Sequence, residues 1–170
     1  MTEAEWVDLA SRKDHVQETV VPDASAPLLT SLLHVDPGSS GSCLLVSFPI
    51  GWERGPGSYS CFEHAVVLEG SIDLDGDRWE AGTAFVVPAK AQRRRTFAPT
   101  GALVLAWFSA APRWTGGGRV DGLASSHLWV GDSADVNAAT DEVDLVGWRW
   151  RHLKPGLSTE DASLRYSWIH

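Results

Sequence analysis

The residues most capable of chemistry fall in two short groups of the chain. The first group contains a phenol, a thiol, a carboxylate and an imidazole, at Tyr59, Cys61, Glu63 and His64. The second is the basic cluster 93–95, which consists of three arginines. A carboxylate can move a proton, and an arginine can hold an anionic or enolate oxygen because its planar fork is always charged. Together these groups would suit acid/base chemistry on a small organic molecule.

The segment that must position these groups, residues 57–108, has a β-rich pattern. Short runs of β-branched and aromatic residues alternate with turn signals, as at 75–77 (Asp-Gly-Asp) and 81–82 (Ala-Gly). Closely spaced strands joined by hairpin turns predict an all-β sandwich or barrel.

Two half-motifs in this segment resemble those of the cupin family. Glu63 stands seven residues before Gly70, and Gly82 is separated from Pro88 by five residues. The resemblance implies a single cupin jelly-roll β-barrel. The sequence resembles the anti-sigma-factor-like cupins more than other cupins, because these carry a Gly-Trp pair before the first motif and end in a run like that at 102–108.

The resemblance also implies positions for a metal, and this chain departs from them. Metal-binding cupins carry two His before the motif Glu, where this chain has Pro56 and Ser58, or Gly57 and Tyr59 in the shorter spacing. They carry a third His where this chain has Arg93. A divalent metal needs three or four protein ligands, and a cation at position 93 would repel it. We therefore expect no metal and no other cofactor.

In cupins the motif Glu points into the barrel, and this orientation implies a direction for its neighbours. Because side chains alternate along a strand, Tyr59 and Cys61 should face inward with Glu63, while His64 faces outward unless a bulge reverses the phase. An outward His64 would be a surface or interface residue.

On the opposite strand, the family's inward position is occupied by Arg93. Alternation then directs Arg95 and Phe97 into the same pocket. A carboxylate beside these guanidinium groups has two interpretations: an internal ion pair without chemistry, or an acid/base site.

For the acid/base interpretation we assign three catalytic roles. Glu63 would carry the proton, Arg93 and Arg95 would hold the anionic oxygen, and Tyr59 would be an auxiliary donor, although Tyr59 could equally be a plain wall residue. Further substrate contacts are predicted from Arg95, Cys61, Phe97, Trp107 and Trp52. Cys61 is otherwise expected to be a buried, inert thiol.

The amino-acid composition and net charge limit the classes of function that the chain could have. The chain has 170 residues, enough for one domain, and a net charge of −8 that argues against a nucleic-acid surface. No run of apolar residues is long enough to span a membrane, and the N-terminus lacks a signal-peptide pattern. We expect a soluble cytoplasmic protein with reduced thiols. Nine tryptophans suggest apolar surfaces in a ligand pocket or at a subunit contact.

Four segments are predicted along the chain. Residues 1–26 form an N-terminal arm with a short helix over 2–13, and residues 27–112 form the barrel. Residues 113–147 form a linker and an acidic loop region. Residues 148–170 supply strands that pack on their own barrel or on a partner's, and we expect a homodimer.

Fold does not determine function, so three functions remain open. The first is a metal-independent isomerase, dehydratase or cyclase of specialised metabolism that acts on a small molecule. The second is a metal-dependent dioxygenase or lyase with non-standard ligands, such as Glu63 with His64. The third is a non-catalytic binding or regulatory module.

Overall fold

A computed structural model describes residues 16–117 in full and, beyond them, the backbone of three strands at 128–132, 143–145 and 148–150. The helix predicted over residues 2–13 and the tail beyond residue 150 lie outside the described residues. Within the described part every regular element is a strand, so the all-β prediction is confirmed. No helix there is long and apolar enough to cross a membrane.

The strands follow one another closely, as the turn signals predict. Their bounds are β1 Gln17–Thr19, β2 Leu28–Val35, β3 Ser42–Phe48, β4 Trp52–Arg54, β5 Gly57–Tyr59, β6 Glu63–Leu74, β7 Asp77–Glu80, β8 Thr83–Val87, β9 Thr96–Ala98, β10 Ala102–Phe108, β11 Trp114–Gly116, β12 Leu128–Asp132, β13 Val143–Leu145 and β14 Trp148–Trp150.

One antiparallel sheet carries most of the fold, in the order β1-β2-β3-β10-β6-β8-β12. The long strand β6 belongs to two layers. Its first half pairs with β10 and β8, and its last residues pair with β7 and β9. Strand β9 also pairs with β4. The sheet therefore curls over itself as in a jelly roll.

Gly70 lies where β6 passes from one layer to the other. Its φ is +72°, and a Cβ atom there would overlap the carbonyl oxygen of Gly101. Nearby, the register between β6 and β10 shifts at Leu103 and Val104, which indicates a bulge. Only glycine combines a positive φ with so close a backbone approach, which gives the motif glycine its physical reason.

A small strand pair closes one end of the curled sheet. Strand β11 pairs with β5 through Trp114 and Tyr59. The Trp114 indole nitrogen donates to the Asp23 carboxylate at 2.9 Å, which ties the arm before β2 to this end. Paired structure thus extends into the segment for which composition predicts a linker.

Alternation along the strands separates two apolar clusters. The inner cluster fills the space between the layers and includes Val67, Val104 and Phe85. The outer cluster lies on the opposite face of the same strands and contains Cys43, Val66, Ala84, Leu105 and Trp107. The inner face is therefore the one that surrounds any interior site.

Candidate functional site

A cavity of about 330 Å³ lies between the layers, inside the inner cluster. Its wall is mostly aromatic and aliphatic, with contributions from Trp52, Phe85 and Phe108. Its ionisable groups are Arg54, Tyr59 and Glu63 at the ends of strands and Arg93 in the segment between β8 and β9. Volume and lining match those of sites for small organic molecules, which are concave and mostly apolar with a few placed polar groups.

Glu63 and Arg93 form an ion pair in this cavity, and their side chains are 14% and 5% exposed. Glu63 begins β6, and Arg93 is fixed by a two-way backbone bridge to Gly57, with N···O distances of 3.0 and 2.8 Å. The Arg93 Nε atom is buried and has no hydrogen-bond partner in the part of the chain that the structure describes. The ion pair was one of the two interpretations drawn from the sequence, and one donor of Arg93 is left for a ligand.

Arg54 is a second buried guanidinium, and the sequence interpretation missed it. It is 3% exposed and ends β4. Its Nε donates to the Pro22 carbonyl at 2.9 Å, and its Cζ lies 3.5 Å from the centroid of the Trp114 ring. A signal existed, because alternation through Trp52, Glu53 and Arg54 places the third side chain inward with the first.

The phenol of Tyr59 lies between the two arginines. The Cζ atoms of Arg54 and Arg93 are 5.1 and 5.2 Å from its ring centroid. Arg54 Nη1 donates to the phenol oxygen at 2.6 Å, so the phenol proton is free to donate elsewhere. Burial raises the pKa of Tyr59, and the charge of Glu63 raises it further, so the group is a protonated phenol at neutral pH.

The charges of the cavity do not balance. Arg54 and Arg93 supply two cations and Glu63 one anion, and among the described residues no carboxylate forms an ion pair with Arg54. Three buried polar atoms of the cavity wall also lack hydrogen-bond partners among the described residues: Arg54 Nη2, Arg93 Nε and Thr96 Oγ1. Buried cations and donors without partners are unfavourable, so the cavity is suited to accept an anion.

Arg95 lies outside this cavity, which corrects the prediction that it faces inward. Its side chain is 50% exposed and pairs with Glu53 at 2.8 Å. Phe97 lies beneath it on the same side, 4.2 Å from the Arg95 Cζ to the ring centroid. Neither residue lines the cavity, whereas Thr96 does.

Arg95 points away from the cavity because regular strand structure is interrupted between Arg93 and β9. The amides of Arg94 and Arg95 both donate to the Asp75 carboxylate, at 2.7 and 3.0 Å, instead of to a neighbouring strand. The side-chain phase shifts by one residue across this break. Simple alternation from position 93 therefore predicts the wrong side.

The remaining predicted contacts divide between the two faces. Trp52 lines the cavity, and its indole nitrogen donates to the Ala26 carbonyl at 2.8 Å. Cys61 is buried in the inner cluster but does not line the cavity, and burial raises its pKa, which makes its thiol a poor nucleophile. Trp107 belongs to the outer cluster and does not line this cavity, which departs from its predicted place among the substrate contacts.

His64 has the outward direction that alternation predicts, yet it is not a surface residue. It is 6% exposed and lies opposite Val86 and Trp107 in the sheet. Burial lowers its pKa to about 4, and the charge of Glu63 opposes that shift only in part. It does not line the cavity, so its imidazole takes no part in this site.

The cavity's donor set does not fit a divalent metal. Arg93, a cation already paired with Glu63, occupies a position that holds a histidine in metal-binding cupins. Within the described part of the chain, no group of three or more His, Cys, Asp or Glu side chains could hold a metal ion. The described side chains of the cavity therefore offer one carboxylate where a divalent metal needs three or four ligands.

Solved structures share the fold. A putative acetylacetone dioxygenase from Methylibium petroleiphilum matches with 18% identity and a TM-score of 0.55, covering 82% of this chain and 97% of that one. The acetylacetone dioxygenase of Acinetobacter johnsonii matches with 14% identity and a TM-score of 0.58, covering 82% and 92%.

The polyketide cyclase RemF from Streptomyces resistomycificus matches with 15% identity and a TM-score of 0.52, covering 71% and 88%. No protein-family model matches the sequence, and no curated protein matches it. These likenesses confirm the cupin fold, which carries both dioxygenases and a cyclase among the matched structures.

Proposed function

We propose that this cupin-fold chain is an enzyme that binds a small organic molecule in its interior cavity and moves a proton on it without a metal. The observation that carries the proposal is the uncompensated positive charge of the cavity beside one carboxylate. The fold neighbours support a small-molecule enzyme in general. The type we propose is an isomerase, dehydratase or cyclase.

Glu63 is the proton carrier in this proposal. Arg93 occupies only part of its acceptor capacity, because an ionised carboxylate has about four lone-pair sites. Glu63 can therefore still accept a proton from a carbon next to a carbonyl group. Arg93 Nη2 donates to Glu63 and would hold its carboxylate in place, and the Arg93 Nε, which has no partner among the described residues, would donate to the forming oxyanion.

Arg54 takes the place that the sequence suggested for Arg95 as the second anion-holding group. It is held by Pro22, Tyr59 and Trp114, so it requires little reorganisation when an anionic group of the substrate binds. The Tyr59 hydroxyl proton supplies a neutral donor beside it. The Arg93 guanidinium and the phenol would stabilise an enolate in a site walled by apolar side chains, while Arg54 holds a second negative charge of the substrate.

The test is deuterium exchange, followed by NMR in D2O with a panel of small enolisable ketones and with EDTA present. We expect the protein to accelerate exchange at the carbon next to the carbonyl, and Glu63→Gln to reduce that acceleration about 100-fold or more. The measurement is made below the thermal unfolding transition of each variant.

The chain offers a matched control in its exposed Glu53–Arg95 pair, which has the same chemistry outside the cavity. Glu53→Gln and Arg95→Gln should leave exchange unchanged. Exchange equal to buffer across the whole panel would contradict the catalytic part of the proposal. Exchange that EDTA abolishes would contradict its metal independence.

A further inference from the structure

The two guanidiniums of the cavity differ in their surroundings. Arg93 is paired with Glu63, whereas the contacts of Arg54 with other described residues are with neutral groups: the Pro22 carbonyl, the Tyr59 hydroxyl and the Trp114 ring. Within the described part of the chain, the positive charge that lacks an ion-pair partner is therefore located on Arg54. One added negative charge on the ligand would neutralise it.

Thr96 adds a hydroxyl to Arg54. The two residues are direct partners in the register of β4 and β9, and both side chains line the cavity. Cβ atoms of such partners lie about 5 Å apart on one face of a sheet. Thr96 Oγ1 and Arg54 Nη2 are both buried and have no hydrogen-bond partner within the described ranges of the chain. The pair thus offers one charged and one neutral donor from neighbouring strands.

We infer that Arg54 and Thr96 form an anchor for the carboxylate of a monocarboxylic substrate. The inference rests on the proposed function and assigns its substrate class. A carboxylate has two oxygens and a single charge, which matches two unpaired donors and one uncompensated cation. The apolar body of the acid would lie against Phe85 and Phe108 in the cavity.

This anchor divides the site into two functional ends. The Arg54–Thr96 end binds the acid group, and the Glu63–Arg93 end is left for proton transfer at a carbonyl elsewhere in the same molecule. Arg54 is then a substrate-binding residue that determines specificity for acids. Removal of its charge should abolish the preference for an acid over a neutral compound of the same shape.

Phenylacetate and phenylacetamide are suitable probes because they share a shape and differ in charge. We expect calorimetry to show that the intact protein binds the acid at least tenfold more tightly than the amide, by the usual strength of charged hydrogen bonds. Arg54→Gln should weaken acid binding at least tenfold and change amide binding less than twofold. Arg95→Gln, which removes an exposed guanidinium, should change neither.

Thr96→Val provides a second variant that keeps the Arg54 contacts with Pro22 and Trp114. It should weaken acid binding several-fold. If Arg54→Gln does not fold, Thr96→Val and the comparison of acid with amide together test whether the two residues anchor a carboxylate. Equal affinity for acid and amide would overturn the inference. Undetectable binding of every acid in a series from acetate to 4-phenylbutyrate would also overturn it.

Failure of this inference can be distinguished from failure of the proposed function. Acid-selective binding without any deuterium exchange would leave the anchor standing and remove the catalytic role. Deuterium exchange that depends on Glu63 but shows no preference for acids would support the catalytic role and remove the carboxylate anchor. Glu63→Gln should retain the preference for phenylacetate over the amide.

Discussion

Arg93 gives the cavity a charge that a neutral histidine at the same position would not supply. Its guanidinium pairs with Glu63, and the two side chains are 5% and 14% exposed. A buried ion pair is weak evidence for stability, because desolvation offsets most of the attraction. A charged pair held in this position is better explained by use than by folding.

This view predicts an asymmetry between single and double substitutions. Glu63→Leu alone leaves Arg93 and Arg54 as unpaired cations and should lower the free energy of unfolding by about 3 kcal/mol. Glu63→Leu with Arg93→Met removes both charges and should be within about 1 kcal/mol of the parent. Urea unfolding of the two single variants and the double variant measures this. A double variant as unstable as the sum of the two singles would contradict the expectation.

At the scale of the elements, β6 is the strand on which the rest depends. It presents Glu63 to the cavity at one end and pairs with β9 at the other, with Gly70 between. The glycine allows the strand to turn beside Gly101 and enter the second layer. The proposed proton carrier and the connection between the two layers therefore depend on one strand.

Gly70→Ala tests this, and Gly76→Ala is its matched control. Both glycines have positive φ, +72° and +104°, but only at Gly70 would a Cβ overlap the neighbouring backbone. Gly76→Ala should cost about 1–2 kcal/mol for the backbone conformation alone. Gly70→Ala should cost at least about 2 kcal/mol more, measured by urea unfolding. Equal losses of unfolding free energy at Gly70 and Gly76 would show that the close backbone approach at Gly70 does not affect stability.

Much of the fold could be predicted from sequence because its signals are local. The half-motif from Glu63 to Gly70 predicts that the Glu63 side chain of β6 points into the barrel. The turn at 75–77 predicts the hairpin to β7. The side of Arg95 could not be predicted, because it depends on a contact between its amide and Asp75, which is twenty residues earlier in the chain.

The candidate site could be predicted from the sequence only in part. Glu63, Arg93 and Tyr59 meet in one cavity, as strand alternation and the family resemblance indicate. Arg54 carries no motif, and only the register of β4 with β9 brings it to Thr96. Trp107 has an aromatic type that suits a pocket, yet its position on the outer face places it away from the cavity.

At the scale of the whole molecule, stability should depend on pH through His64. Burial lowers its folded pKa to about 4, below the ordinary value of 6.5, so the unfolded chain binds the proton more readily. Stability from this residue is thus complete above pH 6.5 and is lost as the pH falls toward 4. Between pH 7 and 4.5 the loss should be about 2 kcal/mol.

His64→Leu should remove this part of the pH dependence. The parent and the variant are compared by urea unfolding at pH 7 and at pH 4.5. The difference between the two pH values should shrink by about 2 kcal/mol in the variant. Between pH 7 and 8.5 both proteins should show the same slope. An unchanged loss in acid would mean that other groups cause it.

The position of Tyr59 between two guanidiniums also has an optical consequence. The chain contains only two tyrosines, at 59 and 166. Replacing Tyr166 with phenylalanine would therefore leave a single phenol chromophore, with the Cζ atoms of two guanidiniums 5.1 and 5.2 Å from its ring centroid. An anion that neutralises one of those charges should alter the ultraviolet difference spectrum, to which Trp52 and Trp114 of the cavity wall also contribute. The aromatic side chains of the cavity thus provide a spectroscopic signal of occupancy, which needs neither a label nor a known substrate.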